Sequence, residues 1–177
     1  MRKPYLLLDI DGVLIPFPSA DGTIPPSHTR HSVTPAGRSA PVDVWLDPAH
    51  GRMLNALVAE EIVDIHWCTS WRADASVLIG ALLGLPCFPH LELPHPDITT
   101  SHPNGYLWKR DYVAEWLGAA PAIWIDDDFT DLDHDWAGRR EQHGVPTLLV
   151  QPGPYRGLEA DHLAAVREWI AFLTLAA

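Results

Sequence analysis

Short uninterrupted apolar runs alternate along this chain with stretches that repeat hydrophobic residues at helical spacing. Residues 4–9 (Pro-Tyr-Leu-Leu-Leu-Asp) predict a buried strand ending on an acid. Val42, Val44 and Leu46 alternate with Asp43 and Trp45, which predicts a strand able to pair with 31–34 as a hairpin. Asp47-Pro48 has the form of an N-cap followed by proline at the first helical position, and Met53, Leu54, Leu57 and Val58 supply that helix with an apolar face.

The same rhythm continues downstream. Ile62–Cys68 predicts a strand leading into Thr69-Ser70, then a helix over 72–83 with Val77, Leu78 and Leu82 inward and Gly84 closing it. A short strand is expected near Cys87–Phe88, inside a proline-rich loop over 86–105. Residues 106–117 predict a helix closed by Gly118, and 122–125 a strand followed by Asp126, Asp127 and Asp128. Thr130 and Asp133 are spaced as a capping box for a helix over 131–143. A strand at 147–150 and a helix over 158–173, with Leu163, Val166, Ile170 and Leu173 on one face, complete the pattern. Continuous apolar strands alternating with amphipathic helices predict an α/β fold: a mainly parallel five-stranded sheet covered on both sides. One domain is expected over residues 1–177, with no internal repeat.

Composition narrows the function classes. The 12 basic and 23 acidic residues leave a net charge of −11, which argues against a general binder of nucleic acid or anionic membrane. Two cysteines, Cys68 and Cys87, are too few for a disulfide framework or a four-cysteine zinc site. No export signal or membrane span is visible, so a cytoplasmic location is expected. The 17 prolines fit long ordered loops, and the 8 tryptophans fit core or pocket walls.

Ligands of open parallel sheets bind beyond the carboxyl ends of the strands. Those positions hold Asp9 and Asp11, then Thr69 and Ser70, then Asp126, Asp127 and Asp128, with Lys109 or Arg110 on the helix before the acidic triplet. Carboxylates crowded at one edge oppose folding unless a cation neutralises them, and an all-oxygen donor set favours Mg²⁺. A carboxylate beside such a cation can attack phosphorus, while a lysine offsets the phosphoryl charge and a hydroxyl orients one oxygen.

This order of motifs resembles the haloacid dehalogenase (HAD) superfamily. Leu-Leu-Leu-Asp9-Ile-Asp11-Gly12-Val-Leu looks like its first motif and Ile65-His-Trp-Cys-Thr69 its second. Lys109 looks like the third and Ile123-Trp-Ile-Asp126-Asp127 the fourth, with Asp131 at the trailing acidic position. The tryptophan-rich detail is similar to a compact subgroup that includes domains predicted to act in RNA repair. The resemblance implies a Rossmannoid three-layer sandwich. Asp9 would be the nucleophile and Asp11 the acid and base. Thr69, Ser70, Lys109 and Gly12 would bind the phosphoryl group. Asp9, Asp11 and Asp126 or Asp127 would hold Mg²⁺. Residues 16–46 and 86–105 stand at the two cap positions and are too small to fold as cap domains, so a minimally capped, open site is expected. The implied substrate is a phosphorylated one: a nucleotide, a nucleic-acid end or another small phosphomonoester, with Trp45, Trp67 and Trp71 available to stack on bases.

Blander readings compete. Asp9 and Asp11 alone fit the metal pair of a sugar-nucleotide transferase. Asp131, Asp133 and Asp135 fit a favourable charge at a helix N-terminus. His90, His95 and His102 with Asp97 look ligand-like, yet their irregular spacing in a loop argues against zinc. Cys68 reads as a small buried apolar residue, and Trp116 and Trp169 as helical core. The rival to the enzyme is a catalytically idle or regulatory HAD domain that binds metal and a phospho-ligand.

Overall fold

The structure, a computed structural model, describes residues 3–94 and 101–175. Its central sheet has four parallel strands: β1 (Tyr5–Leu8), β4 (Asp64–Trp67), β5 (Ala122–Ile125) and β6 (Thr147–Val150), in the order β4-β1-β5-β6. A separate antiparallel hairpin pairs β2 (Thr29–Val33) with β3 (Val42–Leu46). The helices are α1 (Pro48–Ala59), α2 (Arg110–Leu117), α3 (Asp131–Gln142) and α4 (Ala160–Leu175).

The sheet has one strand fewer than the five expected. Beside β4, where a strand near Cys87–Phe88 was expected, the chain makes an isolated parallel bridge between Trp67 and His90. Trp67 N donates to Pro89 O at 2.8 Å and Leu91 N to Trp67 O at 2.9 Å. Pro86 and Pro89 lack N–H donors, so no longer ladder can form there.

Successive β1 side chains point to opposite faces, and each face meets its own core. Leu6 and Leu8 join Ile65, Trp67, Ile123 and Ile125 on one side, packed with Leu54 and Leu57 of α1 and Leu163, Val166 and Ile170 of α4. Leu7 joins Cys68, Ala122 and Trp124 on the other, packed with Val113 and Leu117 of α2 and with Phe129. This is the expected three-layer arrangement.

Asp47 caps α1 as its sequence indicates, accepting from Ala49 N at 2.7 Å. The segment after β4 departs from the expected helix. Residues Ala75–Gly80 are π-helical, and Ala75, Ile79 and Leu83 are buried, while Val77 and Leu82 are 63% and 43% exposed. A wider π turn rotates the inward face away from positions assigned at 3.6 residues per turn. Trp116 also lies outside the core. It is 41% exposed and packs at a tilt against Tyr5 and His66, with ring centroids 4.6 and 5.0 Å away. Trp169 packs against the core from a partly buried position.

Candidate active site

Register brings the chemistry together. Leu8 lies level with Trp67 of β4 and Ile125 of β5, so the next residues, Asp9, Cys68 and Asp126, emerge side by side at the carboxyl edge. Backbone bonds continue one step past the strands: Cys68 N donates to Leu8 O at 2.9 Å and Asp9 N to Ile125 O at 3.0 Å.

Lys109 reaches into this edge from the residue before α2. Its Nζ lies 2.5 Å from Asp9 Oδ2 and 2.7 Å from Asp126 Oδ2, with all three side chains buried. Burial alone would push the ammonium down, but the carboxylates of Asp126 and Asp9 hold its pKa above the ordinary lysine range. Arg110 turns elsewhere: it donates to Leu132 O at 3.1 Å and stacks over the Tyr106 ring. Between the two residues left open for the cationic position, the geometry brings Lys109 to the carboxylates.

Asp133, given only a helix-terminus reading above, anchors this lysine. Its buried Oδ2 accepts from Thr130 N and Thr130 Oγ1 at 2.9 Å each, starting α3, and also from Leu107 N at 3.1 Å. One carboxylate thus joins the α3 cap to the loop that carries Lys109.

Asp9, Asp126 and Asp127 bring one carboxylate oxygen each within 4.8 Å of one another. Burial first, and the charge on Asp9 second, push the Asp127 carboxyl up to about 7. Burial raises Asp126 well above the ordinary range, against the lowering pull of Lys109. Asp11 is raised to about 6 by burial and by Asp9, and is partly restrained by a hydrogen bond from Trp71 Nε1 to its Oδ2 at 3.0 Å. One ammonium therefore faces several carboxylates, all hard oxygen donors. That donor chemistry fits a divalent cation held by Asp9 with Asp126 or Asp127. Asp128 stands apart, with Oδ1 3.2 Å from His102 Nε2.

Gly12 adopts φ +72°, and a Cβ there would lie 2.2 Å from Asp127 Cγ, so the Asp127 carboxylate occupies the space a side chain would fill. Thr69 is buried, and its Oγ1 lies 3.4 Å from Trp71 N. Ser70 borders the same cavity, of about 470 Å³, as Asp9, Asp11, Lys109, Asp126 and Asp127. Phe17, Trp108 and Tyr155 also wall it, which the sequence pattern did not indicate because they come from three separate loops.

The tryptophans divide. Trp67 is fully buried and donates to Ser76 Oγ at 2.8 Å, so it offers no stacking face. Trp45 points to the opposite hairpin face from buried Val44 and does not line this cavity. Trp71 lines a second cavity, which Asp11 and Ser70 also border. Cys68 is fully buried, with its thiol pushed up by burial. His90 and His102 engage different partners, Glu92 and Asp128, while His95 and Asp97 lie outside the described residues.

Among the described residues no helix is long and apolar enough to cross a membrane. A family model described as "HAD domain in Swiss Army Knife RNA repair proteins" matches residues 5–163. No curated protein and no solved structure matched the chain significantly.

Proposed function

The chain belongs to this family of HAD domains in RNA repair proteins, and from that premise we propose that it is a phosphoesterase-type hydrolase, specifically a Mg²⁺-dependent phosphomonoesterase working through an aspartyl-phosphate on Asp9. The observation that carries the reading is Lys109 bridging Asp9 and Asp126, with the Asp127 carboxylate alongside.

In the first step a carboxylate oxygen of Asp9 forms a bond to phosphorus as the bond to the leaving oxygen breaks. Asp11, in its protonated form, gives its proton to that oxygen. In the second step water attacks phosphorus, Asp11 takes the water's proton, and the Asp9–phosphate bond breaks to release inorganic phosphate. A carboxyl raised to about 6 is suited to both transfers, because neither protonation state is far out of reach near neutral pH. Lys109, Thr69 and Ser70 bind the phosphoryl oxygens, and the Gly12 turn leaves room for Asp127. Asp9, the Asp11 carbonyl and Asp126 or Asp127 would hold Mg²⁺, which would supply neutralising charge for the phosphoryl group. Nucleotides and nucleic-acid phosphate ends are the favoured substrates, given the family's link to RNA repair and the aromatic walls.

The test is turnover of para-nitrophenyl phosphate with Mg²⁺, with EDTA and by Asp9→Asn. Turnover abolished by EDTA and by the substitution is the expected result. Undiminished activity in Asp9→Asn would overturn the mechanism, and Mg²⁺ binding without turnover would favour the idle domain.

A further inference from the structure

The second cavity, about 1000 Å³ in volume, opens between the β2–β3 hairpin loop and the segment after β4. It meets the active-site cavity at Asp11 and Ser70, which border both. Asp11 is the residue assigned to protonate the leaving oxygen, so the cavity on its far side is where a leaving group would extend.

Its wall has a specific charge arrangement. Asp43 is held by Arg30, with Nη2 and Oδ2 2.5 Å apart. Glu92 is held by Arg72 at 2.9 Å and by His90 at 3.1 Å. Asp74 accepts from Ala36 N at 2.7 Å. Among the described residues Arg38 is the lining guanidinium whose side chain has no hydrogen bond or ion pair. It is nevertheless held in place by its backbone. Arg38 N donates to Pro35 O at 3.1 Å, and Gly37 at φ +80° completes a type II turn. The Ala36–Asp74 bond clasps that turn to the opposite wall. Trp71, fixed by its bond to Asp11, lines the same cavity.

Resting on the phosphomonoesterase reading, we infer that this cavity is the leaving-group subsite, and that Arg38 selects substrates whose leaving alcohol carries a second phosphate beside a flat ring. A nucleoside 3′,5′-bisphosphate and the phosphorylated end of an oligonucleotide share that chemistry. The active-site cavity is a poor home for the second phosphate, because Asp9, Asp126, Asp127 and Asp128 border it and not the second cavity, and they repel a further anion. Arg38 instead offers an unspent fork of donors suited to phosphate, and the Trp71 indole a surface for the ring. Arg38 acts on selectivity and takes no part in bond making.

The experiment compares kcat/KM for adenosine 3′,5′-bisphosphate, a short RNA with a 3′-phosphate, and para-nitrophenyl phosphate. Wild type, Arg38→Gln, Arg38→Lys and Tyr155→Ala are the variants. The ratio of either nucleotide substrate to para-nitrophenyl phosphate should fall about tenfold in Arg38→Gln, the size of one charge-assisted hydrogen bond. Arg38→Lys should recover part of it. Loss on the mononucleotide alone identifies its free phosphate as the anion read, and loss on the RNA alone an internucleotide phosphodiester. Calorimetric binding of the bisphosphate to Asp9→Asn, with and without Arg38→Gln, should weaken in parallel. Unchanged ratios in a wild type active on para-nitrophenyl phosphate overturn the subsite and leave the phosphomonoesterase reading intact. Equal loss on every substrate, or a ratio that follows Tyr155 and ignores Arg38, overturns it as well. A wild type that turns over no phosphomonoester removes both readings.

Discussion

The indole Nε1 of Trp71 donates a 3.0 Å hydrogen bond to Asp11 Oδ2. It joins a loop after β4 to the loop after β1, and it favours the ionised carboxylate against the burial and Asp9 charge that raise it to about 6. The bond also fixes which way Asp11 faces, toward the junction of the two cavities.

Trp71→Phe keeps the ring and removes the donor. Without that bond the Asp11 pKa rises further, so its acid form persists to higher pH. The expected outcome in pH–rate profiles is a limb displaced upward, with kcat/KM lowered about tenfold through lost orientation. A profile that keeps its shape while activity falls would assign Trp71 to packing alone.

The raised carboxyls of Asp11 and Asp127, at about 6 and about 7, have a sign that can be tested without turnover. Between about pH 4 and those values the folded metal-free chain holds protons that the unfolded chain has shed, so these two groups make stability fall as pH rises through that window. The lowered imidazoles of His28, His50 and His66 act in the opposite sense, so the quantity to compare is the increment due to the metal. Mg²⁺ competes with the carboxyl protons. The gain in Tm on replacing EDTA with Mg²⁺ should therefore be larger at about pH 8 than at about pH 5.5. Equal gains would refute a cation at these carboxylates.

Gly12→Ala places a methyl 2.2 Å from the Asp127 carboxylate and an L side chain at φ +72°. Gly84→Ala is the control, because it shares the left-handed backbone at φ +66° but meets nothing within 4 Å. Both should lose about 1 kcal/mol to backbone strain in urea titrations. Only Gly12→Ala should also lose the Mg²⁺-dependent gain in Tm. If both variants retain that gain, Asp127 is displaced without consequence and is no ligand.

The elements nearest the site were the most readable in the sequence. The strands at 122–125 and 147–150 match their apolar runs, and Asp47 and Thr130–Asp133 sit at helix starts as their spacing indicates. The inward face of the segment after β4 is not legible in the sequence, because π-helical turns change which residues face inward. The place of Trp67 is not legible either, because its flat, apolar side chain suits a core as well as a pocket, and the fold buries it fully. Asp133 was only half readable: its cap is a local contact, but its bond to Leu107 crosses 26 positions.

The sequence by itself determined the α/β rhythm, the family resemblance and the list of acids at the strand ends, because each depends on a few neighbouring residues. Sheet order and register decided the rest. They set Asp9 beside Asp126, brought Lys109 between them and left Arg110 outside, and placed Trp71 against Asp11 and Arg38 on the same cavity as both. Such pairings join residues far apart in the chain, and only the packing of the whole sheet with its helices and loops selects among the partners that local chemistry allows.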